Sequence, residues 1–253
     1  MSLDVARLRA DTPGCAHVLH LNNAGAALSP ASVLDTVIGH LRREAEIGGY
    51  EAADEAGERL RAVYASVARL IGAAPDEIAL VESATQAWTL GFHAFELGEG
   101  DRILTARAEY ASNVISFLHL ARARGGVVDV VPSDADGALD VNALRRMIDA
   151  RTKLIAVTHV PTNGGLVNPA AEIGAVARAH GIPFLLDACQ SVGQLPLDVE
   201  AIGCDMLSAT GRKFLRGPRG TGFLYVRRAI LDRLRPPFLD LHSARWTGER
   251  EYA

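Results

Sequence analysis

Two residues of this sequence could supply a reactive amine, because lysine occurs only at positions 153 and 213 among 26 basic residues. A lysine that loses its proton on desolvation is a nucleophile and can form a Schiff base, which an arginine cannot do. Lys153 follows Arg151 and Thr152 at the start of a predicted strand, where exposure to solvent is expected. Lys213 lies instead in the glycine-rich apolar stretch ATGRKFLRGPRGTGF. We therefore predict that amine chemistry takes place at Lys213.

A carboxylate and an amide stand upstream of this lysine at a fixed spacing. Asp187 ends the apolar run IPFLLD, and Gln190 follows three residues later. A carboxylate can keep the ring nitrogen of a bound heterocycle protonated, whereas an aspartate after a strand can also cap a helix. Ser83 lies at another change from strand to helix and has a similar pair of interpretations. It could be a simple N-cap, or it could begin an anion site together with the backbone N–H groups that follow it.

Hydrophobic periodicity places these residues in an alternation of helices and strands. The predicted strands are 77–81, 102–105, 127–131, 154–158, 182–187, 206–209 and 221–226, and the predicted helices cover about 30–41, 60–71, 84–95, 113–124, 139–148 and 169–180. Such alternation predicts an α/β fold with a mostly parallel sheet covered by helices on both faces. Ligands bind beyond the carboxyl ends of such strands, so we single out Ser83, Glu109, His159 and Asp187. His159 is interpreted as a core histidine with satisfied hydrogen bonds.

Together these motifs resemble the class V aminotransferase family of fold type I pyridoxal-phosphate (PLP) enzymes. That family includes cysteine desulfurases, isopenicillin N epimerase-like proteins and hercynylcysteine sulfoxide lyases. The resemblance rests on Asp187, Gln190, the T-G-R-K sequence ending at Lys213 with the G-P-R-G turn after it, and LNNAGAALSP at 21–30. It implies an N-terminal segment over 1–20 and a PLP-binding large domain over 21–253, with a mostly parallel mixed sheet flanked by helices. The family's small C-terminal domain, which holds the arginine that binds the substrate carboxylate, is expected to be absent from these 253 residues.

The resemblance also implies a role for each site residue. Lys213 would form a Schiff base with PLP and move the alpha proton, Asp187 would protonate the pyridine ring, and Tyr110 would stack on that ring; these three are the predicted catalytic residues. The full set of predicted cofactor-binding residues is Ala84, Thr85, Tyr110, Thr162, Asp187, Gln190, Thr210, Arg212 and Lys213. Of these, Gln190 and Thr162 would face the phenolic oxygen of the cofactor, and the others outside the catalytic set would hold its phosphate.

The implied function is a PLP-dependent reaction on an amino acid, either transamination or β-elimination by a C–S lyase. Tyr110 and Arg212 both stand where desulfurases usually carry histidine, so a cysteine desulfurase is the less favoured alternative. A non-catalytic PLP-binding or dimerisation module is a further alternative. The resemblance also implies a homodimer and a small amino acid as substrate.

Composition narrows the remaining classes of function. The net charge of −4, without a basic run interleaved with aromatic residues, argues against nucleic acid as a partner. No apolar stretch approaches the length of a membrane span and the N-terminus lacks the apolar core of a signal peptide, so no membrane association and a cytoplasmic location are expected. Three cysteines without metal-ligand spacing predict reduced thiols and no metal site.

Overall fold

The computed structural model describes residues 3–241 and 243–253 of the chain. The α-helices are α1 Val5–Ala10, α2 Ala31–Ile47, α3 Gly49–Glu55, α4 Gly57–Ile71, α5 Ala84–His93, α6 Ala111–Arg124, α7 Val141–Met147, α8 Ala170–Ala179 and α9 Val199–Ile202. Short 3-10 helices cover Pro13–Ala16, Pro75–Glu77 and Arg228–Arg233. Within the described residues, no helix combines the length and the apolar character needed to cross a membrane.

The ends of the helices follow from local sequence. α4 ends at Gly72 and α6 at Gly125, and both glycines have a φ of 71°, a left-handed conformation that glycine adopts without steric cost. Asp140 caps α7 by accepting hydrogen bonds from two N–H groups of its first turn, so this helix begins later than predicted. α2 begins at Ala31, one residue later than predicted, and its N-cap is Pro30, whose backbone is extended.

Within the described part of the chain, seven strands form the main sheet in the order β1-β7-β6-β5-β4-β2-β3. They are β1 Ile78–Val81, β2 Arg102–Thr105, β3 Val127–Val130, β4 Thr152–Thr158, β5 Phe184–Asp187, β6 Met206–Thr210 and β7 Gly222–Val226; β8 Trp246–Gly248 and β9 Glu251–Tyr252 form a separate hairpin. Four pairs of neighbouring strands are parallel: β3 with β2, β2 with β4, β4 with β5, and β5 with β6. β7 runs antiparallel to both β1 and β6. The mostly parallel mixed sheet is therefore confirmed.

The two faces of the sheet bury separate apolar clusters. One cluster lies between the sheet and helices α4, α7, α8 and α9, and it includes the fully buried Ile71, Leu144 and Ile173. The other lies between the sheet and helices α5 and α6, with Trp88 and Phe117 at its centre. Burial on both faces removes large apolar areas from water, which holds the carboxyl ends of the parallel strands in a rigid frame.

Candidate active site

The central parallel strands end together at one edge of the sheet, and the predicted site residues gather there. Thr158, the last residue of β4, pairs with Asp187, the last residue of β5. Asp187 in turn pairs with Ser208 of β6, which ends at Thr210. Because parallel strands present their carboxyl ends to the same side, residues far apart in sequence become neighbours at this edge.

Lys213 follows β6 and is buried, with 6% of its surface exposed. A sharp turn brings it back toward the sheet: the N–H of Gly211 donates to the carbonyl of Thr221, and the carbonyl of Gly211 accepts from the N–H of Gly217. A Cβ at Gly211 would lie 2.2 Å from the Thr221 hydroxyl oxygen, so this position requires glycine. The prediction that Lys213 is not a surface lysine is confirmed, whereas Lys153 is exposed, as expected.

The side-chain amine of Lys213 has no charged partner among the described residues. Its Nζ lies 5.8 Å from the centroid of the Tyr110 ring. Among the described residues it takes part in no hydrogen bond and no ion pair, although arginine and aspartate side chains line the same cavity. That cavity is lined by Ala84, Thr85, Tyr110, Asn113, Asp187, Cys189, Arg212 and Lys213. Such a buried amine without a partner is poised for a ligand that can pair or react with it.

Asp187 is a buried carboxylate held by two donors. Its Oδ1 accepts a hydrogen bond from the N–H of Cys189 at 2.9 Å, and its Oδ2 accepts one from Nδ2 of Asn113 at 3.0 Å. Only 4% of its surface is exposed. No helix begins directly after Asp187, so the interpretation as a helix cap is not supported.

Gln190 connects the site to the N-terminal part of the chain. Its Nε2 donates to the carbonyl of Ala24 at 3.0 Å and to the Thr162 hydroxyl at 3.3 Å. The carbonyl of Arg212 accepts from the N–H of Ala27, which fixes the same segment from the other side. Oε1 of Gln190 is buried without a hydrogen-bond partner among the described residues. An unpaired buried oxygen is costly, so this amide has capacity for a polar ligand group.

Donors surround the other end of the cavity. The Ser83 hydroxyl accepts a hydrogen bond from the N–H of Gln86 at 3.1 Å, so Ser83 caps α5. A cap of this kind leaves the first N–H groups of the helix, those of Ala84 and Thr85, without helical partners. Nη1 of Arg212 donates to the Thr210 hydroxyl at 3.2 Å. A helix N-terminus beside a guanidinium group favours an anion such as phosphate.

The sequence indicated Glu109 as a polar residue near the end of a strand but gave it no role, and it did not identify Asn113. Oε1 and Oε2 of Glu109 accept hydrogen bonds from the N–H and the hydroxyl of Thr158, at 2.6 and 2.7 Å. Burial raises the pKa of the Glu109 carboxyl to about 7, the hydrogen bonds from Thr158 oppose this shift, and the charge of Asp187 adds to it. In the sequence, Asn113 is distinguished only as a polar residue at the start of a predicted helix, and this position does not reveal its contact with Asp187.

Two further polar residues at this edge are His159 and Cys189. His159 is buried, as predicted, but the prediction of satisfied hydrogen bonds is wrong for Nδ1, which has no partner among the described residues. Burial lowers the pKa of the imidazole. Cys189 lines the cavity, and burial raises the pKa of its thiol well above the ordinary value, which keeps the thiol protonated and weakly nucleophilic.

The residues present fit PLP. A buried amine without a partner could bind its aldehyde, and a buried carboxylate could face its ring nitrogen. A helix N-terminus with Arg212 could bind its phosphate, and Gln190 carries an unpaired polar atom near the position expected for its phenolic oxygen. The fit rests on chemistry that the fold brings together at one edge of the sheet, where Lys213, Asp187 and Arg212 line the same cavity.

Comparison with solved structures confirms the fold. An apo structure of cysteine desulfurase from Thermococcus onnurineus NA1 matches the whole of this chain and 64% of its own, with a TM-score of 0.91 and 25% sequence identity. A structure of SspA in complex with cysteine matches 87% of this chain and 65% of its own, with a TM-score of 0.78 and 27% identity. The expected large-domain architecture of the fold type I enzymes is therefore confirmed.

The chain belongs to the class V aminotransferase family, whose family model matches residues 19–241. Members of this family are PLP-dependent enzymes. A cysteine desulfurase of Yersinia pestis (strain Pestoides F) is 34% identical over 250 residues, which cover 93% of this chain and 61% of that protein. The chain thus spans about three fifths of the length of this curated relative. The predicted family is confirmed, and the desulfurases that the sequence disfavoured are among its relatives.

Proposed function

We propose that this chain binds PLP in the cavity around Lys213 and acts on a sulfur-containing amino acid by cleaving its C–S bond. The observation that carries the proposal is the buried, unpaired amine of Lys213 at the same strand edge as the buried carboxylate of Asp187. The cysteine desulfurase relative and the SspA complex with cysteine favour cysteine or a close derivative as the substrate.

When bound, PLP supplies an electron sink in conjugation with the alpha carbon of the substrate. Asp187 would hold a proton on the ring nitrogen, because two N–H donors fix its carboxylate in a site sheltered from water. Lys213 would hold the cofactor covalently and would move the alpha proton of the substrate as acid and base. Tyr110 would stack on the ring.

Donors in and beside the cavity would hold the phosphate and the phenolic edge of the cofactor. The N–H groups of Ala84 and Thr85, the Thr85 and Thr210 hydroxyls, and the Arg212 guanidinium would hold the phosphate. Gln190 and Thr162, which are hydrogen-bonded to each other, would bind the phenolic oxygen.

Product analysis tests the reaction. The protein loaded with PLP is incubated with cysteine, cystine, a cysteine-conjugate sulfoxide or a common amino donor with a keto acid, and the products are identified. Alanine together with sulfane sulfur or, with dithiothreitol, sulfide indicates desulfuration. Pyruvate with ammonia and a released sulfur compound indicates β-elimination. Conversion of the keto acid to an amino acid without release of sulfur would indicate transamination and would contradict the proposed C–S cleavage.

We further propose that the protein is a homodimer. Four apolar residues on α2, at helical spacing, form an exposed stripe: Leu34, Val37, Ile38 and Leu41. Helix α4 exposes Leu60 and Val63 as well. A contiguous apolar stripe of this kind is unfavourable in water and favours burial against a second copy of the chain.

A further inference from the structure

A buried asparagine lies between two carboxyl groups at the centre of the site. Nδ2 of Asn113 is 3.0 Å from Oδ2 of Asp187 and 3.5 Å from Oε2 of Glu109. Only 2% of the Asn113 surface is exposed. A neutral amide with two N–H donors suits this position. A carboxylate here would repel both neighbours, and an apolar group would remove the donor to Oδ2 of Asp187.

Glu109 fixes the orientation of that amide. Its two oxygens are held by the N–H and the hydroxyl of Thr158, so its carboxyl group cannot rotate without losing two short hydrogen bonds. With the Glu109 oxygen in place, the amide of Asn113 must present its nitrogen to the carboxyl groups, because the opposite orientation would bring two acceptors together. The hydrogen bonds that join Thr158, Glu109 and Asn113 thereby connect Asp187 to the rigid strand β4.

We propose that Asn113 is a positioning residue that holds the Asp187 carboxylate toward the ring nitrogen of the cofactor, and that Glu109 sets the orientation of Asn113. This proposal rests on the proposed function of the cavity as a PLP site. Asp187 lies at the end of a strand, and its backbone alone does not fix its side-chain torsions. The donors at Oδ1 and Oδ2 fix them, and only the Oδ2 donor comes from another part of the chain.

The substitution Asn113→Leu tests the proposal, because it conserves volume and removes the donor. We expect the dissociation constant for PLP to rise about tenfold, the effect of losing one hydrogen bond to a charged group. We also expect the visible absorption band of the bound cofactor to titrate at higher pH. A misplaced Asp187 holds the ring proton less well, and loss of the positive ring charge favours protonation of the lysine–cofactor linkage.

Asn168→Leu is the matched control. Asn168 is also buried, donates to the carbonyl of Thr158 at 2.7 Å and accepts from the N–H of Leu139 at 2.9 Å. It makes no hydrogen bond to Asp187 within the part of the chain that the structure describes. We expect this variant to lower the thermal midpoint of unfolding and to leave the pH titration of the absorption band at its wild-type position.

The outcomes separate the two proposals. A wild-type protein that binds no PLP overturns both of them. A wild-type protein that binds PLP, together with an Asn113→Leu variant whose titration is unchanged, overturns only the positioning role. If Asn113→Leu does not fold, Glu109→Gln is measured instead. A glutamine amide here would place N–H donors toward the nitrogen of Asn113 and so disfavour its present orientation. We expect a smaller shift to higher pH in that variant, and a wild-type titration would refute the proposal.

Discussion

At the scale of single residues, Glu109 links the protonation of the site to the stability of the fold. Its pKa is about 7 in the folded protein and 4.5 without the fold, with burial as the main cause. The folded state therefore binds a proton between these pH values while the unfolded state has lost it. The contribution of this carboxyl group to the free energy of unfolding is fully present below pH 4.5. It falls as the pH rises to about 7 and does not change further above that pH.

We predict that Glu109→Gln removes this part of the pH dependence. Chemical denaturation of both proteins between pH 4.5 and 8 should show a free energy of unfolding that falls more steeply for the wild type, by up to about 3 kcal/mol. Glu96→Gln changes an exposed glutamate and should follow the wild-type profile. Parallel profiles for wild type and Glu109→Gln would contradict the pKa assigned to this carboxyl.

The residues of the site differ in how far sequence could identify them. Lys213 could be found because it is one of two lysines, and Asp187 because it ends an apolar run at a family-like spacing. Asn113 could not be identified from the sequence, because its partner Asp187 is 74 positions away. Their hydrogen bond exists only after β4 and β5 have paired. Side-chain relations across strands depend on register, which a single sequence does not reveal.

At the scale of elements, strand β7 fixes the position of the turn that begins α5. It packs antiparallel against β6, and its first residue, Gly222, lies against the turn that begins α5. A Cβ at Gly222 would lie 2.8 Å from the Ala209 carbonyl oxygen and 2.8 Å from the carbonyl carbon of Ser83. Both neighbours are backbone atoms, so neither can move aside cheaply. The anion-binding turn is therefore fixed by a glycine on another strand.

We predict that Gly222→Ala destabilises the fold by about 1–3 kcal/mol through overpacking and weakens PLP binding by displacing the Ser83 turn. Thermal unfolding and titration of the apoprotein with PLP measure the two effects. Gly39→Ala is the matched control. It lies in α2 with nothing within 4 Å of its added Cβ, so it should stabilise the protein by about 0.5–1 kcal/mol. Normal stability and affinity in Gly222→Ala would contradict this packing argument.

Sequence periodicity predicted the parallel strands well and the reversed strand not at all. The run at 221–226 was correctly predicted as a strand, but nothing in its pattern gave its direction. The connection after β6 contains no helix, and a parallel crossover usually needs one, so the strand returns antiparallel. The predicted boundary at Ile182 also moved, to Phe184, because Pro183 cannot donate to the sheet.

At the scale of the whole molecule, helices α2 and α4 expose several apolar side chains. Leu41 is 58% exposed and Leu34 is 47% exposed, although the helical spacing of these residues is typical of a buried face. Sequence predicted the amphipathic helix correctly, but it could not distinguish burial in the chain's own core from burial against a second chain. This surface supports the proposed dimer.

We predict that the protein sediments as a dimer and that Leu34→Glu combined with Leu41→Glu shifts it toward the monomer. Two charges on the apolar stripe would have to be desolvated in the interface. Analytical ultracentrifugation at several concentrations measures the effect. Leu231→Glu alters an exposed leucine outside α2 and α4 and serves as the control. A wild-type protein that remains monomeric at high concentration would contradict the proposed dimer.

The central claim is that PLP binds covalently to Lys213, and reductive trapping tests it most directly. The protein is incubated with PLP, reduced with borohydride and digested, and the modified lysine is identified by mass spectrometry. The sequence provides its own control, since Lys153 is the only other lysine. We predict the adduct at Lys213 in the wild type and in Lys153→Ala, and no lysine adduct in Lys213→Ala. An adduct at Lys153, or an unmodified Lys213 in protein saturated with PLP, would contradict the account.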